Sequence, residues 1–80
     1  MPRVTGKTLD NNNNPIENAT ITIPSAGLFA LSDEQGNFVI DNVPPGMHTL
    51  YVVHRHFQKF GADLHLNEDM DVTLQMDRQM

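Results

Sequence analysis

Apolar and polar residues alternate along most of this chain, in short runs separated by clusters of turn-forming residues. Alternation with period 2 marks extended strands, because successive side chains point to opposite faces. Val4, Gly6 and Thr8 share one side of a first strand ending near Leu9. Asp10 to Pro15, with four consecutive asparagines and a proline, is a loop that solvates its own backbone. Ala19, Ile21 and Ile23 then face one way and Thr20 and Thr22 the other, a second strand stopped by Pro24, which has no N–H to donate. Leu28 to Ser32 is apolar without a clear period, a short strand whose facing stays ambiguous.

Asp33-Glu34-Gln35-Gly36 has the chemistry of a type I turn that closes a hairpin, with an aspartate to accept from the backbone and a glycine for positive φ. Phe38 and Ile40 point inward from the next strand and Asn37 and Asp41 outward. Val43-Pro44-Pro45-Gly46 is a second stiff turn, so Ser32 to Val52 reads as the central hairpin of a sheet. In the strand from Met47 to about Arg55, His48, Leu50 and Val52 share the inward face, and Met47, Thr49, Tyr51 and Val53 the outward one. Phe60, Ala62, Leu64 and Leu66 mark the inner face of a further strand. After the polar turn Asn67-Glu68-Asp69, Met70, Val72, Leu74 and Met76 alternate with Asp71, Thr73, Gln75 and Asp77, and a short tail frays beyond them. No stretch has the 3.6-residue apolar period of a helix, and short strands at near-regular spacing indicate an all-β antiparallel sandwich or barrel. The expected core is Val4, Ile21, Ile23, Phe38, Ile40, His48, Leu50, Val52, Phe60, Leu64, Leu66, Val72 and Leu74.

Composition narrows the possibilities. Eighty residues allow one small core over 1–80 and leave little room for a deep catalytic cleft. Cysteine is absent, which removes disulfides, thiolate metal sites and thiol nucleophiles. Ten acidic and five basic residues give a formal charge of -5, with the basic ones scattered; nucleic acid needs a clustered basic surface and is not an expected partner. No apolar run reaches membrane-spanning length, and the start lacks the pattern of a signal peptide, so direct membrane insertion is not expected either. The chain reads as a domain of a longer protein rather than a small cytoplasmic one.

The histidines are the side chains that invite a chemical reading. His54 and His56 lie two apart, which in a regular strand sets both on one face with Cβ atoms roughly 6.5 to 7 Å apart, and His48 shares their parity. Zinc needs three or four converging ligands. With His48 assigned to the core, the expectation is no metal and no cofactor. No serine stands in a nucleophile-elbow context, and the carboxylates fall mostly in turns or on solvent faces, so no catalytic residues are expected.

The ordered set Val4-x-Gly6, Asp10, Pro15-Ile16-x-x-Ala19-x-Ile21-x-Ile23, Ser32-Asp33-x-x-Gly36-x-Phe38-x-Ile40 and Val43-Pro44-Pro45-Gly46-x-x-x-Leu50-x-Val52 resembles the carboxypeptidase regulatory-like domain family. Asp71-Val72-Thr73-Leu74 is similar to that family's last strand. The resemblance implies a transthyretin-like, prealbumin-type Greek-key sandwich of about seven antiparallel strands. It also implies a non-catalytic accessory module, extracytoplasmic or at the cell surface, that docks to or spaces neighbouring protein domains. Two positions depart from the family: His48 replaces an aromatic, and His56 replaces a glycine and would carry strain if its φ were positive.

Related sandwiches supply three alternatives. The transthyretin-like hydrolases rely on a C-terminal Tyr-Arg-Gly-Ser, whereas this chain ends Asp77-Arg78-Gln79-Met80. Isopeptide-stapled domains join a lysine of the first strand to an asparagine of the last, and the segment from Asp71 to Met76 has no asparagine. Carbohydrate-binding modules stack sugars on aromatic rings; with no tryptophan, Tyr51 would have to serve. The expected interaction site is an outward apolar cluster of Val39, Tyr51 and Val53 facing a neighbouring protein domain.

Overall fold

Period-2 alternation produces strands wherever one set of side chains is buried, and among the described residues it does so seven times. A computed structural model describes residues 1–78; the end of the expected frayed tail lies outside the described residues. The strands are β1 (Val4–Leu9), β2 (Thr20–Ile23), β3 (Leu28–Leu31), β4 (Asn37–Ile40), β5 (Gly46–His54), β6 (Phe57–Leu66) and β7 (Met70–Gln75). A one-turn 3-10 helix, Pro24–Ala26, follows β2. Two sheets face each other, one in the order β4-β1-β7 and the other β3-β2-β5-β6.

Four of the five ladders are antiparallel, but β1 and β7 run parallel, with Val4 opposite Met70 and Leu9 opposite Gln75. The expectation of an antiparallel sandwich is corrected at this pair. Alternation reports which face a residue takes and carries nothing about a neighbour's direction. β7 enters this sheet from β6 in the opposite one and takes the side of β1 that β4 leaves free, running the same way as β1.

The same distinction overturns the central hairpin. β3 and β4 lie in different sheets, as do β4 and β5, so both turns are corners between layers. The first is a true turn: Gly36 N–H donates to Asp33 O at 2.9 Å, and Asp33 Oδ1 accepts from the N–H groups of Gln35 and Asn37. Gly36 is then tied to β1, its carbonyl accepting from Thr8 N–H at 2.8 Å. Its φ of +78° and a Cβ position 2.5 Å from Thr8 O explain why glycine stands where the chain changes sheets.

The core lies between the sheets. Val4, Ile21, Ile23, Phe38, Ile40, Leu50, Val52, Leu64, Leu66 and Leu74 are buried as expected, joined by Ile16, Ala19, Val43, Phe57 and Met76, while Phe60 and Val72 are only partly buried. Val43 and Ile16 come from loops and have no alternation to betray them. His48 is corrected: it is half-buried and outside the core. β2 ends at Ile23, and the start of β5 runs past it alongside the 3-10 turn, where a polar ring can be held. His56 does not meet the condition for strain, because among the described residues the non-glycine ones at positive φ are Asn13, Asn18 and Asn42. The register shifts between Val52 and His54, and such a bulge takes up the local twist that a left-handed residue would otherwise supply at the Arg55–His56 turn.

Past Met76 the chain stays attached, since Gln58 N–H donates to Asp77 O at 2.8 Å and Arg78 bridges to Phe57. The asparagine-rich loop is equally organised. Asp10 Oδ1 accepts from the N–H groups of Asn12 (2.8 Å) and Asn14 (2.9 Å), and the Gln75 amide donates to Asp10 O and Asn13 Oδ1, both at 3.1 Å. The bond from the Asn14 N–H leads in holding the Asp10 carboxyl below the ordinary aspartate range. A carboxyl depressed in the folded state stabilises it above the unfolded value and loses that contribution as pH falls through the folded one. Asp10→Ala should therefore lower the urea midpoint at neutral pH, and the gap between variant and parent should close below about pH 4. A gap that persists unchanged in acid would show that the charge plays no part.

Candidate interaction face

β2 and β5 both present their even-odd alternation to the outer side of the four-stranded sheet, and register fixes which residues become neighbours. Leu31, Thr20 and Val53 form one row across β3, β2 and β5; Phe29, Thr22, Tyr51 and Gly61 form the next, reaching β6. Phe29 is 69% exposed, Leu31 56% and Val53 46%, so the two rows make an apolar strip with threonine methyl groups between larger side chains. Met47, also exposed, lies further along β5.

Tyr51 lies across the backbone of Gly61, where a Cβ would come within 3.2 Å of the ring atoms Cδ1 and Cε1. The Lys59 ammonium stands 4.6 Å from the ring centroid. The tyrosine is thus held in place on the sheet, and a sugar ring approaching it would meet a cation already in contact with the π system.

The expected trio is brought together only in part. Tyr51 and Val53 share this face. Val39 is outward and exposed as its parity requires, but it belongs to β4, in the other sheet, where its row neighbour is Thr5 and then Asp71. It does not stand beside Tyr51. Phe29 and Leu31, absent from the expected cluster, take its place. Their signal was the missing period of Leu28 to Ser32: Leu28 and Ala30 turn half-buried to the core while Phe29 and Leu31 turn out, so both faces are apolar.

The histidines are engaged locally. His48 Nε2 donates to Pro44 O and its Nδ1 meets Ser25 Oγ, both at 2.6 Å, which pins the 3-10 turn to the β4–β5 corner. His54 Nδ1 accepts from His56 N–H at 3.1 Å, which leaves Nε2 to donate to Glu17 O at 3.1 Å. The His54 ring packs edge-on against Phe57, with centroids 5.2 Å apart, and lies 5.6 Å from His56. Among the described residues, no three His, Cys, Asp or Glu side chains are grouped as metal ligands. A shallow pocket of about 450 Å³ beside the apolar strip is lined by Ser25, His48, Thr49, Tyr51 and Asp63 together with Pro24 and Met47, and Thr49 Oγ1 donates to Asp63 within it.

Comparison with known proteins places this geometry. A family model described as the carboxypeptidase regulatory-like domain matches residues 3–77. None of the curated proteins compared matches the chain. Among solved structures, a chain of a type II cohesin–X-dockerin complex from Acetivibrio cellulolyticus superposes with a TM-score of 0.85 at 17% identity, over 95% of this chain and 57% of that one. The Bacillus anthracis TIE protein gives 0.70 at 9% identity, over 96% of this chain and 16% of that one. The Caf1A usher C-terminal domain gives 0.62 at 11% identity, over 98% and 99%; that domain carries surface hydrophobic clusters important for F1 antigen assembly. At these identities the likeness is one of fold, a β-sandwich. This chain spans little more than half of the cohesin–X-dockerin complex chain it matches.

Proposed function

The chain belongs to the carboxypeptidase regulatory-like domain family, and from that premise we propose that it is a non-catalytic accessory module whose four-stranded sheet docks by its outer face against a neighbouring protein domain. The observation that carries this reading is the strip of exposed Phe29, Leu31 and Val53 with half-buried Tyr51 among them, on one continuous surface. Aromatic residues set among small neighbours are the usual anchors of protein contacts, and exposed apolar surface of this kind lowers its free energy when covered. The surface clusters of the Caf1A domain offer a parallel for a sandwich of this shape that works through apolar surface.

The test is photo-crosslinking in the source cells from a benzoylphenylalanine at position 29, with Val39 as the control position on the opposite sheet. The captured protein is identified by mass spectrometry and the complex rebuilt from purified components. Leu31→Lys and Val53→Lys should then each weaken binding at least about tenfold, or about 1.4 kcal/mol. Unchanged affinity in both variants, or capture from position 39 alone, would refute the docking face.

A second reading, carbohydrate binding, draws on the pocket where Tyr51 meets Thr49, Asp63 and His48. It requires Lys59 to leave the tyrosine ring. Lys59→Ala should in that case strengthen binding of an oligosaccharide panel followed by shifts of the Tyr51 ring protons, and silence in parent and variant alike would end it.

A further inference from the structure

We propose that the open edge of β3 takes an extended, apolar, basic-flanked strand of another protein by strand addition. This deepens the docking reading, and it rests on it in that the added strand must set its side chains beside Phe29 and Leu31. β3 is the last strand of its sheet and pairs only with β2. The phase of its free groups follows from the bonds just beyond it. Ser32 N–H donates to Ala19 O and Ser32 O accepts from Asn18 N–H, so the backbone of Ser32 faces β2. In an antiparallel ladder the facing alternates, which turns the N–H and C=O groups of Leu31 and Phe29 to the open side. Among the described residues nothing bonds to them. Edge strands are ordinarily protected by a lysine, a proline or an inward charge. Leu28-Phe29-Ala30-Leu31 has none of these, and it adds two outward apolar side chains that an incoming strand would extend into a wider surface.

Charge selects the occupant. From Thr8 to His54 the chain contains no lysine or arginine, while Asp10, Glu17, Asp33, Glu34 and Asp41 are acidic. Glu17 precedes Asn18, which bonds to Ser32, and Asp33 and Glu34 follow Ser32, so these acidic residues belong to the segments that meet at the C-terminal end of β3. The Asp33 carboxylate is occupied by the turn, whereas neither glutamate is in an ion pair among the described residues. An incoming strand is favoured if it carries a lysine or arginine where it passes this corner. A second copy of this chain would bring the same acidic corner and a further formal charge of -5.

The test uses the whole chain and two end-blocked peptides, Lys-Thr-Val-Thr-Val-Thr-Lys and Glu-Thr-Val-Thr-Val-Thr-Glu, followed by NMR amide shifts and hydrogen exchange. The lysine-flanked peptide should slow exchange at the Phe29 and Leu31 amides and bind at least about tenfold more tightly than the glutamate-flanked one. Leu31→Pro removes an edge N–H that β2 does not use and should abolish that protection, while Val39→Lys, on the other sheet, should leave it in place. No protection from either peptide overturns the proposal, and equal binding of both overturns the choice of partner. Shifts at Thr20, Tyr51 and Val53 without amide protection would put the peptide on the face, refuting edge addition while keeping the docking reading. Protection that grows with protein concentration alone would make the occupant a second copy and refute the proposal.

Discussion

Gly6→Ala should lower the melting temperature by roughly 12 to 24 °C, the equivalent of about 3 kcal/mol in a domain of this size. Gly6 faces inward in the middle of the three-stranded sheet, opposite Phe38 on one side and Val72 on the other. An added Cβ would lie 2.4 Å from Val72 O, 2.6 Å from Phe38 Cζ and 2.7 Å from Phe38 Cε1. The ring can tilt away, but the carbonyl belongs to the parallel ladder and moves only if the pairing of β1 with β7 opens. Because the conflict has two parts, Phe38→Leu in the Gly6→Ala background should recover some of the loss and not all of it. Small domains hold only about 0.05 to 0.15 kcal/mol per residue in reserve, so the single variant should populate unfolded chains at modest temperature. Thermal melts followed by circular dichroism decide the matter, and a change of less than about 3 °C would show that β1 can shift without cost.

Ser32→Ala should cost about 2 to 3 kcal/mol, read as a lower urea midpoint with an unchanged slope. Ser32 is buried between the end of β3 and the start of β2, where its hydroxyl donates to Ile16 O at 2.6 Å and accepts from Ala19 N–H at 2.9 Å. Alanine fits the space and restores neither bond. The two losses are unequal: Ile16 O keeps a donor in the Thr8 hydroxyl at 2.9 Å, whereas the buried Ala19 N–H has no substitute among the described residues. Thr8→Val alone should accordingly be milder, since Gly36 O still receives the Thr8 N–H. Combining Thr8→Val with Ser32→Ala strips Ile16 O of both partners, and the double variant should lose more than the sum of the singles by about 1 kcal/mol. Strict additivity would mean that water enters and replaces the missing donors.

Both residues belong to an arrangement that the order of residues conveys unevenly. Alternation was a reliable guide to facing: Ile21, Ile23, Phe38, Ile40, Leu50, Val52, Leu64 and Leu74 are all buried where their parity sent them. It was silent where the chain leaves a strand, which is why Ile16 and Val43 enter the core unannounced. The candidate face shows the same limit. Tyr51 and Val53 could be assigned outward from their own strand, yet their true neighbours, Phe29 and Leu31, were set by the register of β2 with β3 and of β2 with β5. Val39 had the correct parity and the wrong sheet. His48 followed the inward parity of β5 but fell beyond the end of β2, where Ser25 and Pro44 satisfy it.

What the sequence by itself determined, then, was a set of strands, their inward sides, their turns and the membership of a family of sandwiches, all of which rest on local chemistry: side-chain period, proline and glycine geometry, and turn residues that accept from their own backbone. What only the tertiary structure decided was which strands are neighbours and in which direction. That choice put β7 parallel to β1, turned two apparent hairpins into corners, crowded Gly6, buried Ser32 and left the apolar edge of β3 open. The reason is physical: facing depends on one residue and the next, whereas pairing depends on segments far apart in the chain that lower their free energy together only when both sheets close over one core.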